Sequence, residues 1–125
     1  MLESEVITHL HESGFEKLVA AFYRRVVVDD LIGPMYPPNE LEAARRRLTD
    51  FLIQRFGGST KYSDERGHPR LRMRHAPFSI GQAERDRWLA LMREAMNECA
   101  IDPEIEKLLW PYFVSTANHM MNRAD

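Results

Sequence analysis

Residues 66–78 read Arg66-Gly67-His68-Pro69-Arg70-Leu71-Arg72-Met73-Arg74-His75-Ala76-Pro77-Phe78, with two prolines bracketing the middle. Pro69 suits the first position of a helix, where its missing N–H costs little. Pro77 cannot continue a helix and biases Ala76 away from helical geometry. The spacing therefore predicts a short helix between them, with His75 in its last turn. Leu71, His75 and Phe78 share a face at spacings of four and three, while Arg70, Arg72 and Arg74 point outward. An imidazole turned toward apolar neighbours needs a hydrogen-bond partner or a metal. Read alone, the stretch favours the plainer option, a buried histidine bonded to a backbone carbonyl.

Outside this stretch the periodicity is helical. Upstream, Phe15, Leu18, Val19, Phe22, Tyr23 and Val26 form a three-four stripe that ends at Asp29-Asp30. A loop through Gly33-Pro34 leads to Met35-Tyr36-Pro37-Pro38. Asn39-Glu40-Leu41-Glu42 reads as a capped helix start, with Asn39 as the cap. Leu41, Ala44, Leu48, Phe51, Leu52 and Phe56 follow, and Gly57-Gly58 stops the run. Arg47 lies beside this apolar edge. Residues 57–68 read as a loop containing Tyr62. Downstream, Ser79-Ile80-Gly81-Gln82 resembles a second capping box, and its helix carries Trp88, Leu89, Met92, Ala95 and Met96. Asp102-Pro103 opens a last helix, Asp as cap and Pro at the first position. The polar residues 1–14, with His9 and His11 read as solvated, are given no structure. The expectation is one all-α domain over residues 1–125, with four main helices near 15–28, 39–56, 82–100 and 103–122 plus the short bracketed one.

Composition narrows the functional classes. The chain has 125 residues, 44% hydrophobic and 29% charged, which fits one globular domain rather than a disordered segment. A net charge of -2 argues against electrostatic binding of nucleic acid. No apolar run is long enough to span a membrane and no leader precedes the first helix, so a cytoplasmic protein is expected. A lone Cys99 excludes an internal disulfide.

His75-Ala76-Pro77-Phe78 closely resembles the proximal segment of the truncated haemoglobins, in particular their group II branch. The resemblance runs from about Phe15 to the C-terminus. It implies a two-over-two helical sandwich with a non-covalently held haem b, its iron ligated by His75. In that family the distal side takes a tyrosine from the first main helix, an aromatic from the following loop and a tryptophan after the proximal histidine. Tyr23, Tyr36 and Trp88 match these in turn. Ala44 falls where many globins keep a distal histidine or glutamine. Gly57-Gly58 matches the family's glycine pair, whereas the glycine pair that commonly opens these proteins is missing. Leu48, Phe51, Leu52, Leu71, Phe78, Trp88 and Met92 are the types that line a porphyrin. Arg47 and Arg74, with Tyr62, suit its carboxylates.

The residues support the same picture independently. Tyr23, Trp88 and His75 each bring a polar hydrogen onto an apolar stripe, and burying one unpaired costs about 1–3 kcal/mol. Something polar in the interior would satisfy all three. The implied function is binding of O2 and other diatomic gases, tight and slow to release. That suits redox chemistry on peroxide or nitric oxide, served by an unidentified reductase, better than transport. A gas-storing or sensing globin without catalysis is the alternative, and a haem-free helical interaction module is a remote one. A homodimer is compatible with the sequence. A nucleic-acid or membrane partner is not expected.

Overall fold

Phe15, Leu18, Val19, Phe22, Tyr23 and Val26 are all buried along one face of α1 (Val6–Val26), as their spacing requires. The computed structural model describes residues 1–124. Five further helices follow: α2 (Leu41–Arg55), α3 (Lys61–Arg66), α4 (Leu71–His75), α5 (Gln82–Glu98) and α6 (Pro103–Met120). There is no strand among the described residues. Helix α1 packs on α2 and α5, and α5 packs on α6, giving the two-over-two sandwich expected from the sequence. Phe22, Met92, Met96, Leu109 and Phe113 are essentially fully buried at its centre. No helix of the described residues is long and apolar enough to cross a membrane.

The first helix is longer than its apolar stripe. It runs from Val6, with a break at His11, whose φ of 66° and ψ of 165° are not helical. Val6 is fully buried, and the Ile7 N–H donates to Phe56 O at 3.2 Å. Residues 3–10 thus lie against the end of α2. Gly57 makes this possible. Its φ is +102°, and a Cβ there would stand 2.1 Å from Ser4 O.

Several boundaries differ from the sequence reading. Asn39 is not the cap of α2. It sits in a 3-10 turn (Pro38–Glu40), and Glu42 pairs with Arg45 at 2.9 Å instead of reaching back. At α5 the cap is Gly81, whose N–H donates to the Glu84 carboxylate at 2.7 Å, and Ser79 lies outside the helix. The start of α6 is as expected, with Asp102 accepting the Glu104 N–H at 2.8 Å. Residues 57–68 are not all loop, because α3 occupies Lys61–Arg66 and buries Tyr62. Its single turn is too short to show a period.

Helix α4 begins two residues later than Pro69 suggests. Arg70 adopts left-handed angles (φ 47°, ψ 48°) and donates its N–H to His68 Nδ1 at 3.0 Å, so the helix can start only at Leu71. It does end at His75. Ala76 keeps helical angles (φ -56°, ψ -35°) despite the proline that follows, because its N–H still reaches Met73 O at 3.2 Å.

Candidate functional site

Between α2, α4, α5 and α6 lies a cavity of about 370 Å³. Helix α2 supplies Ala44, Arg47, Leu48, Phe51 and Leu52 to its wall, and α3 supplies Tyr62. The α4 segment supplies Leu71, Arg74, His75 and Phe78. Tyr23, Tyr36 and Trp88 come from α1, the following loop and α5. Every site residue expected from the sequence is therefore brought together here, with one exception. Met92 does not line the cavity. It is fully buried in the main core, one turn beyond Trp88. The sequence reading also missed the α6 wall of Tyr112, Phe113, Thr116, Ala117 and Met120. A helical stripe looks the same whether it faces packed side chains or a cavity, so no signal distinguished them.

His75 is oriented by its own helix. Its Nδ1 lies 2.7 Å from Leu71 O, four residues back. A carbonyl can only accept, so Nδ1 carries a proton, and in the neutral ring the lone pair is on Nε2. The plainer expectation, a buried histidine bonded to a backbone carbonyl, is met in the bond but not in the burial, since His75 is only half-buried, and such a bond would also orient the ring toward a metal. The exit from α4 is held by Asn122 beyond α6. Its Nδ2 donates to Phe78 O at 2.6 Å, its Oδ1 accepts the Ile80 N–H at 2.8 Å, and its own N–H donates to Ile80 O at 2.8 Å.

Three aromatic donors gather elsewhere on the wall. The Tyr23 and Tyr36 rings meet edge to face, with centroids 5.5 Å apart. Trp88 is wedged between Phe22 (5.0 Å) and Phe113 (5.8 Å). Burial pushes the Tyr23 phenol well above its ordinary range. Tyr36 adds to this, and the positive charge of Arg47 opposes it. Burial also raises Tyr36, while hydrogen bonding to Trp88 and Tyr23 pulls the other way. Both phenols therefore keep their protons at neutral pH and remain hydrogen-bond donors.

These features can be tested against a haem. The volume falls within the usual range for ligand pockets, roughly 300–1,000 Å³, and the wall is mostly apolar. No group of three His, Cys, Asp or Glu side chains among the described residues could hold a bare metal ion. A metal on His75 would find no such cluster beside it among the described residues, and a macrocycle is a ligand set that would meet that need. Neither Arg47 nor Arg74 is ion-paired among the described residues, which leaves both for a ligand's carboxylates. The residues fit the group.

Known proteins agree with this geometry. A family model described as bacterial-like globin matches residues 10–122. A group 2 truncated haemoglobin of Bacillus subtilis (strain 168) is 39% identical over 114 residues, covering 91% of this chain and 86% of its own. The crystal structure of a haemoglobin from the thermophilic phototrophic bacterium Chloroflexus aurantiacus superimposes with a TM-score of 0.90 at 42% identity, covering 94% of this chain and 98% of its own. The group II truncated haemoglobin of Bacillus anthracis superimposes with a TM-score of 0.91 at 34% identity, covering 100% and 94%.

Proposed function

We infer that this chain, which belongs to the bacterial-like globin family as a group II truncated haemoglobin, holds haem b through His75 and releases bound O2 slowly. Membership itself carries haem-based binding of O2 and other diatomic gases. The finer reading rests on one observation. One cavity wall holds an imidazole whose Nδ1 is anchored on Leu71 O, and it also gathers Tyr36 with Tyr23 and Trp88, which are hydrogen-bonded to it.

A ferrous haem supplies reversible binding of diatomics and lends them partial negative charge. The chain supplies the rest. His75 offers Nε2, and Leu71 O keeps its tautomer fixed. Arg47 and Arg74 neutralise the carboxylates of the macrocycle. Leu48, Phe51, Leu52 and Phe78 exclude water around it. Trp88 and Tyr36 donate hydrogen bonds to the ligand, and Tyr23 orients the Tyr36 hydroxyl. Each donor contributes on the order of 1–2 kcal/mol, so two together slow release by up to about a hundredfold, less where they act on each other. Such a protein is poorly suited to delivering O2. It suits reduction of peroxide or oxidation of nitric oxide, both of which draw electrons from a separate reductase.

Absorption spectra of the oxidised, reduced and carbon monoxide-treated protein test the haem assignment. Turnover of peroxide or nitric oxide above that of free haem supports the redox role. Turnover no greater than free haem leaves a gas-storing or sensing globin.

A further inference from the structure

Asp29 sits just beyond α1 with both carboxylate oxygens in use. Oδ2 accepts the N–H groups of Leu31 and Ile32 at 3.0 and 2.9 Å. Oδ1 accepts from Arg87 Nη1 at 2.6 Å. The Asp29 side chain is only 8% exposed. The same Nη1 also reaches Asp30 at 3.0 Å, but Asp30 is 92% exposed, so that second contact is worth little.

Both ends of this pair lead to the distal donors. Arg87 precedes Trp88 on α5. From Ile32 the hydrogen bonds continue along the loop: the Met35 N–H donates to Ile32 O and the Tyr36 N–H to Gly33 O, each at 3.0 Å. Gly33 itself is tightly seated, since a Cβ there would lie 2.6 Å from Val26 O. Among the described residues, Arg87 makes the only ion pairs between the loop of residues 27–37 and α5. A continuous polar link therefore runs from the residue beside Trp88 to the backbone of Tyr36.

We propose that the Asp29–Arg87 pair is a clasp that sets the position of the Tyr36 hydroxyl relative to the Trp88 indole, and so tunes how fast a diatomic ligand leaves. This rests on the reading of Tyr36 and Trp88 as distal donors. Asp29 and Arg87 are positioning residues, because neither lines the cavity. An exposed ion pair contributes little to stability. A nearly buried carboxylate holding three donors is different, because removing its cation shifts the loop that it organises.

The test uses the haem-loaded protein and the haem-free chain side by side. Arg87→Met keeps the aliphatic stem and removes the charge. It is expected to speed O2 release about tenfold, the equivalent of one hydrogen bond. It should also move the C–O stretching band of the carbon monoxide adduct toward that of an apolar pocket. In the haem-free chain it should shift the indole N–H resonance of Trp88. Arg87→Lys, one bond shorter but still cationic, should restore part of each change. In a Tyr36→Phe background Arg87→Met should have little further effect on release, since the clasp acts through that hydroxyl. Asp29→Asn carries the same test should Arg87→Met fail to fold. A variant that melts at lower temperature but keeps the release rate, the C–O band and the indole resonance would reduce the clasp to a plain staple and overturn the proposal. If Tyr36→Phe and Trp88→Phe themselves leave release unchanged, the distal-donor reading falls and the clasp with it.

Discussion

The rings of Tyr23 and Tyr36 stand at 86° to one another, edge against face, and the two side chains are hydrogen-bonded without the rings stacking. Phe22, next to Tyr23, packs against Trp88. Aromatic packing thus helps to hold these side chains in place alongside their hydrogen bonds. Trp88→Phe and Tyr36→Phe should each speed O2 dissociation about tenfold, measured by stopped-flow ligand replacement. Because the two groups interact, the double variant should fall short of the product of the single effects.

The Tyr23 phenol resists ionisation because it is buried, with Tyr36 adding to the shift. The sign follows from linkage. A phenol with a raised value in the folded state stabilises the fold fully below the ordinary value of 10.0, and that contribution is lost as pH rises beyond it. Alkaline titration of the tyrosine absorbance should show Tyr23 ionising only together with unfolding. Tyr23→Phe should flatten the fall in stability above pH 10.

His75→Ala removes the one imidazole in the cavity wall. It should weaken haem retention and change the absorption spectrum, with little effect on the helical content of the haem-free chain. Transfer of haem to an apoglobin acceptor measures the first effect and circular dichroism the second.

Gly57→Ala should destabilise the chain by at least about 1–3 kcal/mol, read as a lower urea midpoint. Both the positive φ and the closeness of Ser4 O stand against a side chain there. A truncation that removes residues 1–5 should relieve part of this cost.

Glu84 lies below the ordinary carboxylate value of 4.5, held there mainly by the Gly81 N–H and also by Arg123. Its contribution is present above 4.5 and lost as pH falls through the lower folded value. Glu84→Gln should therefore be less stable than the parent at neutral pH and show a shallower acid transition. Thermal melts across the acid range measure both.

Much of the site was legible because its chemistry is compressed into a few unusual residues. Polar hydrogens at Tyr23, Trp88 and His75 interrupt apolar stripes, and His75-Ala76-Pro77-Phe78 narrows the family. The Asp102-Pro103 start was legible because cap and first-turn chemistry coincide there. The Ser79 cap was misplaced because a second capping arrangement, Gly81 with Glu84, lay two residues on, and the Asn39 cap because the 3-10 turn of Pro38–Glu40 absorbed Asn39 and left Glu40 at the helix start with no side-chain cap bond. In both cases backbone geometry decided the outcome. Met92 was assigned to the cavity because stripe position alone does not say which side of α5 faces packed neighbours. The cavity-facing residues of α6 were hidden for the same reason. The Asp29–Arg87 pair is long-range, and nothing local to either residue announces it.

Helix α4 is five residues long and contains no buried side chain. A helix so short does not sustain itself, since nucleation costs more than one turn returns. Its shape is borrowed from its moorings, the Arg70 turn on His68 at one end and Asn122 at the other. On the proposed reading, prosthetic-group occupancy and folding then draw on one free energy, and melting temperature rises with haem supply. On the same reading, a cell short of haem should find this segment opening readily and offering a protease a foothold.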